Sequence, residues 1–323
     1  MESSLQDIQA LITTELKALN KYIYKILKRS DLLLGQLTKY LLQHPGKQLR
    51  PQLVFLVAGA SGGITEKTRR GAALVTLLHN ASLVHDDVVD EATHRRGMSS
   101  INAIWKNKAA VLLGDYILSS GLRIIVEHQD YDFLETISNT TQAMSEGELL
   151  QIEKAHQLAI TEAEYLQIIQ QKTASLMAAC CAIGALSANA SGRQADIMYQ
   201  VGDQLGIAFQ IQDDLLDYNS AGKLGKATGM DIKEKKITLP LLYALQQATE
   251  HDRQNILHMI KNHGQKPEKV QEIMAFVRSV GGITYAQEMM YGYRRKALEL
   301  LAVYVQPSPY KKMLTNLIYQ VID

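Results

Sequence analysis

The chain contains six prolines, and none falls between Pro51 and Pro240. Proline removes a backbone donor and clashes with the preceding turn, so a proline-free stretch of that length permits long, unbroken helices. The hydrophobic spacing agrees. In QVGDQLGIAFQIQDDLLDY and EYLQIIQQKTASLMAACCAIGA apolar residues recur at three and four, the period of one helical face, and strict alternation over strand lengths is hard to find. These features predict an all-α protein, a large bundle of ten or more helices around one core. Polar and glycine-containing loops are expected at 44–51 (HPGKQLRP), 61–67 (SGGITEK), 94–100 (HRRGMSS), 218–236 and 261–269. None has linker composition, so residues 1–323 are expected to form a single domain.

Composition narrows the function. A chain of 323 residues that is 46% hydrophobic can bury a sizeable core. A net charge of +1 argues against a nucleic-acid partner, which needs a basic footprint. The two cysteines, Cys180 and Cys181, are adjacent inside an apolar run, which speaks against a disulfide framework and for a reducing, cytoplasmic compartment. The N-terminus alternates charged and apolar residues, unlike a signal peptide. From Thr173 to Gly192 no residue is charged, a length that raises the question of a membrane span. The segment is mostly Ala, Ser and Gly, however, and reads as a buried central helix with close neighbours, so no transmembrane segment is expected.

One short motif occurs twice: DDVVD at 86–90 and DDLLD at 213–217, each closing an apolar helical segment. On a helix Asp86 and Asp90 share a face, as do Asp213 and Asp217. One such cluster alone reads as a solvated acidic helix end. Two copies, with Asp87 and Asp214 beside them, place six carboxylates at strong mutual cost unless cations neutralise them. Hard oxygen ligands without His or Cys suit Mg²⁺, which takes one or two carboxylates per ion plus substrate phosphates. The basic residues around the clusters then need anions: Lys47 and Arg50, Arg95 and Arg96, Lys172, and Lys226, Lys235 and Lys236. Singly, each reads as a solvated surface charge; a diphosphate substrate bridging to Mg²⁺ would unite them. His79 lies seven residues before Asp86, on the same stripe, although a core histidine fits that position equally well. GKLGKATG lacks the Ser or Thr of a Walker A loop, and there is no Rossmann fingerprint.

From about residue 20 to about residue 300 these segments resemble the trans-isoprenyl diphosphate synthases, the all-α polyprenyl synthetase family. GKQLRP is similar to the family's GKRLRP, HNASLVHDDVVDEATHRRG to its first aspartate-rich motif, KTASL to its Lys-Thr pair, FQIQDDLLD to its second aspartate-rich motif and GKATGMDIKEKKITLP to the lysine-bearing loop after it. The resemblance implies an isoprenoid-synthase bundle around a central active-site cavity, with three Mg²⁺ ions per active site. Asp86, Asp90 and Asp213 would hold the ions, with Asp87, Asp214 and Asp217 supporting or completing the shell. Arg95, Lys172, Lys226 and Lys236 would grip the allylic diphosphate. Lys47, Arg50, His79 and Arg96 would hold isopentenyl diphosphate, and Thr173 and Gln210 would turn oxygens toward the allylic cation. Gln48 departs from the family's Arg or Lys, from which weaker electrostatic support of the isopentenyl site is expected. A homodimer is implied as well, and transient membrane contact when product is released.

Product length should depend on what lies below Asp86. Ser82 is one turn down, Ala81 beside it, and Leu78 and Leu74 come next, Leu74 at ~18 Å for 1.5 Å per residue. Short-chain members place Tyr or Phe at the positions of Ala81 or Ser82, so the resemblance points to a medium- or long-chain product, hexaprenyl to octaprenyl, such as a quinone tail. Small residues there are equally consistent with plain close packing. Phe55 is the candidate for a deeper floor, or a simple core ring. The alternatives are a geranylgeranyl or farnesyl diphosphate synthase, a class I terpene cyclase and a non-catalytic subunit. A cyclase has no use for Lys47, Arg50 and His79, and a degenerate subunit should have lost site residues.

Overall fold

The computed structural model of the protein describes residues 2–28, 32–43, 46–95, 97–218 and 228–322. Helices dominate as expected: α1 (Glu2–Leu27), α2 (Leu32–Leu42), α3 (Leu49–Ser61), α4 (Glu66–Val89), α5 (Ile101–His128), α6 (Asp132–Gln157), α7 (Glu162–Ile169), α8 (Ser175–Ser187), α9 (Gly192–Leu216), α10 (Met230–Lys233), α11 (Leu239–Gln247), α12 (Glu250–His263), α13 (Pro267–Ser279), α14 (Gly282–Tyr304) and α15 (Pro309–Val321). The proline-free span holds three helices of 24 to 26 residues, α4, α6 and α9, and α5, which is interrupted by a kink at Lys106, φ 72°. Pro51, Pro240, Pro267 and Pro309 each lie in the first turn of a helix, where a missing N–H breaks no bond. The segment 94–100, expected as a loop, instead forms a two-residue antiparallel hairpin, β1 (His94–Arg95) with β2 (Met98–Ser99). A single π-helical turn, Gln170–Ala174, separates α7 from α8.

The chain forms two compact units, each discontinuous in sequence: Met1–Ser138, Ala179–Tyr199 and Leu301–Asn316 make the first, and Asn139–Ala178, Gln200–Leu300 and Leu317–Asp323 the second. In the first unit, α4 starts at a capping box between Thr65 and Thr68, which satisfies two helix-end donors at once. The Thr65 hydroxyl also donates to Ser187 O at 3.1 Å, and Ser187 Oγ donates to Thr68 Oγ1 at 2.9 Å, fastening the start of α4 to the end of α8. Antiparallel α5 lies along α4, with Gly114 against His85 and Gly121 against Leu74 and Leu77. By length and composition α5 could cross a membrane, but 44% of its most apolar window is buried, and α4 covers part of it. The uncharged stretch is buried without a break from Ala174 to Ala185, and both cysteines there are free. Burial pushes the Cys180 thiol up to about 12, which makes it a packing residue and not a nucleophile.

Gly184 marks the closest approach of α8 to α3: a Cβ there would stand 2.7 Å from Val54 O and 3.0 Å from Val57 Cβ. Backbone cannot swing aside as a side chain can, so Gly184→Ala should destabilise the fold by ~1 to 3 kcal/mol. A lowered urea midpoint at unchanged slope checks this.

Candidate active site

The first aspartate cluster sits where α4 runs out. Asp86 is half-buried, Asp87 is 4% exposed and Asp90, the C-cap, is exposed. A buried carboxylate needs compensation, and Arg95 supplies it, donating from Nε to Asp87 Oδ1 at 2.6 Å. The hairpin, turned through Gly97 at φ 77°, holds Arg95 at that distance. Asn102 Nδ2 donates to Asp87 O at 2.9 Å and to Ala92 O at 3.1 Å, so the start of α5 clamps the end of α4. Arg96 lies outside the described residues.

On the same unit, Arg50 Nη1 stands 3.0 Å from His79 Nε2. Arginine only donates, so His79 accepts at Nε2 and carries its proton on Nδ1. These two expected partners for one anion are therefore already together, and Lys47, three residues before Arg50, is exposed. Gln48 has a left-handed backbone, φ 52°, and exchanges amide hydrogen bonds with Asn20 of α1 at 2.6 and 3.4 Å. At this departure from the family pattern the side chain is thus engaged in tying α1 to the start of α3.

The second cluster closes α9. Asp213 is exposed, while Asp214 is 1% exposed and accepts from Tyr165 Oη (2.8 Å), Gln210 Nε2 (2.9 Å) and Lys236 Nζ (3.4 Å). Asp217 lies just past the helix end and accepts the backbone N–H groups of Met230 and Asp231, both at 3.0 Å, pinning α10. Lys236 also meets Asp231 at 3.2 Å. Burial works against its ammonium, but Asp214 and Asp231 more than offset it and hold the proton on. Burial likewise lifts the Asp231 carboxyl to about 7. Lys226 lies outside the described residues.

Lys172 and Thr173 ride on the π turn. Thr173 Oγ1 donates to Gln210 Oε1 at 2.8 Å, and Lys172 Nζ pairs with Glu148 Oε2 at 2.5 Å. The turn is wedged from both sides. A Cβ on Gly147 would stand 2.8 Å from Gln171 Cβ, and one on Gly206 only 2.4 Å from Ala174 Cα. Buried Asp203 takes Gln170 Nε2 at 3.1 and 3.2 Å. Sequence reasoning missed Tyr165, Glu148, Asp203 and Asp231. Tyr165 left one faint signal, a position seven residues before Lys172.

Among the described residues no three His, Cys, Asp or Glu side chains converge as a metal cage. Mg²⁺ is usually held by one or two carboxylates together with substrate phosphates and seldom by an all-protein cage. Asp90 and Asp213 are exposed and Asp86 is of intermediate exposure; Asp87, Asp214 and Asp217 accept hydrogen bonds from protein donors.

Of the chain-length candidates, Ala81, Leu78, Leu74 and Phe55 are all at most 3% exposed. Ala81 falls on the same stripe of α4 as Leu74, Leu77 and His85, which meet α5. Ser82 is half-buried, its hydroxyl donating to His79 O at 2.9 Å.

The sequence model of the polyprenyl synthetase family matches residues 31–277. The chain belongs to this family. It is 32% identical to an octaprenyl diphosphate synthase of Haemophilus influenzae over 321 residues, 99% of this chain and 97% of that one. Among solved structures, a decaprenyl diphosphate synthase from Rhodobacter capsulatus superposes with a TM-score of 0.92 at 32% identity, covering 98% of each chain. A geranylgeranyl pyrophosphate synthase from Bacteroides thetaiotaomicron gives 0.82 at 34% identity, covering 99% of this chain and 98% of that one. The protein is a prenyltransferase of the all-α isoprenoid synthase fold.

The wedge at Gly206 generates a test. Gly206→Ala must displace the backbone that carries Lys172 and Thr173, and kcat should fall well beyond any loss of stability. Gly192→Ala, with nothing within 4 Å of the added methyl, should leave prenyltransferase activity and thermal midpoint unchanged.

Proposed function

We propose that the protein is a Mg²⁺-dependent all-trans polyprenyl diphosphate synthase that condenses isopentenyl diphosphate with an allylic diphosphate. The observation that supports this is the pair of aspartate-rich helix ends, each with its second carboxylate buried and tied to a cation, and with Asp90 and Asp213 exposed. Asp86, Asp90 and Asp213 would hold the ions, three in number, with Asp87, Asp214 and Asp217 supporting them. Bound there, Mg²⁺ would supply positive charge to the leaving diphosphate.

The chain's own groups do the rest. Arg95, Lys172, Lys226 and Lys236 donate to the allylic diphosphate, which competes with Glu148 for Lys172. Lys47, Arg50, His79 and Arg96 hold isopentenyl diphosphate. Thr173 spends its proton on Gln210, so its oxygen lone pairs can face the carbon that becomes cationic. The allylic C–O bond breaks, the alkene of isopentenyl diphosphate forms the new C–C bond, and a proton leaves to the released diphosphate, with no side-chain base required. Buried helix faces exclude the water that would quench the cation.

Product length we place in the medium to long range, hexaprenyl to octaprenyl. No ring stands at Ala81 or Ser82, and relatives named octaprenyl and nonaprenyl diphosphate synthase align along nearly the whole chain. We further propose that residues 1–323 act as one domain, in the cytoplasm, where Cys180 and Cys181 stay reduced. A homodimer would cover Ile104, Val111, Leu112 and Val126 of α5, which are 41–60% exposed.

Purified chain given labelled isopentenyl diphosphate and an allylic starter should yield medium- to long-chain product on reversed-phase chromatography after dephosphorylation. A geranylgeranyl product would favour the shorter-chain alternative. Asp86→Ala should lower kcat by orders of magnitude with the helical fold intact; full turnover would refute the metal assignment. Arg50→Ala should mainly raise the KM for isopentenyl diphosphate, because truncating one desolvated charged partner costs ~2 to 5 kcal/mol. Ser82→Phe, off the α4–α5 seam, should shorten the product at an unchanged thermal midpoint.

A further inference from the structure

Tyr165, on α7, is 3% exposed and donates its hydroxyl to Asp214 Oδ2 at 2.8 Å. The other carboxylate oxygen, Oδ1, accepts from both Gln210 and Lys236. Gln210 in turn receives the Thr173 hydroxyl, and Lys236 also donates to Asp231 at 3.2 Å. One buried carboxylate thus links α7, α9 and the segment after α10. A carboxylate has two oxygens, and its rotation about χ2 is broad unless both are held. Without the phenol, Oδ2 would be a buried acceptor with no donor, and the group would turn to share Gln210 and Lys236 differently.

We propose that Tyr165 and Asp231 are positioning residues that act through Asp214 and Lys236. Tyr165 fixes one oxygen of Asp214 so that the other bridges Gln210 and Lys236, and Asp231 holds the same ammonium as a second acceptor. The Thr173–Gln210 oxygen pair and the cation that meets the departing diphosphate then keep one set spacing. Asp214 serves in this scheme as a bridge between side chains and not as an ion ligand. The proposal rests on the function given above and deepens it: neither residue touches substrate, and both act at one remove.

The test is a double-mutant cycle. Tyr165→Phe keeps the ring and removes only the hydroxyl. It should lower kcat by about 10- to 100-fold, the usual effect of losing a group that orients a site residue, well beyond what the loss of one buried hydrogen bond does to the thermal midpoint. Its affinity for inorganic diphosphate, measured by calorimetry with Mg²⁺ and no turnover, should fall as well. In an Asp214→Asn background the same substitution should cost nothing further, because its route is already broken. Equal losses in both backgrounds, or a loss that tracks the thermal midpoint, would overturn the proposal. Should Tyr165→Phe fail to fold, Asp231→Asn carries the test, and an unchanged diphosphate affinity in that variant would count against it. An inactive wild type would instead refute the proposed function; an active wild type matched by Tyr165→Phe refutes this proposal alone.

Discussion

Burying a carboxylate beside other carboxylates is the constraint on which each aspartate cluster depends. Asp87 and Asp214 are each almost wholly out of water, and each is tied to a cation: Asp87 to Arg95, and Asp214 to Lys236. An unpaired charge in such a place would take up a proton or force the chain open. The cations must therefore be delivered to fixed points, and much of the local architecture can be understood as that delivery. The hairpin at 94–99 carries Arg95 back to α4, and Asn102 closes the end of the helix. Asp217 pins α10 through two backbone donors, and Asp231 and Lys236 belong to that pinned segment.

With the inner carboxylates held, the outer ones remain accessible, and this separation gives each cluster its chemistry. Asp86, Asp90 and Asp213 stand open to varying degrees at helix ends, where added positive charge relieves repulsion and favours negative ligands. The π turn provides the complementary part. Its extra residue per turn sets Lys172 and Thr173 on a segment fixed by Gly147, Gly206 and the Asp203–Gln170 tie. Wide-turn backbone of this kind is rare and is frequently associated with functional sites.

The helical fold was legible from the proline gap and the apolar period, because both act locally. The clusters were legible because repeated like charge on an apolar helix is expensive. The π turn was not: an i→i+5 bond leaves no mark in composition and here depends on glycines 23 or more residues away in the chain. The hairpin reads as a loop in sequence, since two-residue strands have no period to detect. Asp86 and Asp213 lie within α4 and α9, but Asp90 and Asp217 each fall one residue past the helix end, Asp90 as the C-cap of α4 and Asp217 turning to the backbone N–H groups of α10. Asp231 sits in a lysine-rich segment that reads as a solvated loop, and its value comes from long-range burial beside Lys236.

The most direct measurement is the affinity of the purified protein for inorganic diphosphate as Mg²⁺ is titrated, by calorimetry. The affinity should climb steeply with Mg²⁺, be lost in EDTA, and be lost again in either Asp86→Ala or Asp213→Ala. Binding of equal strength in EDTA, or in both variants, would contradict that expectation.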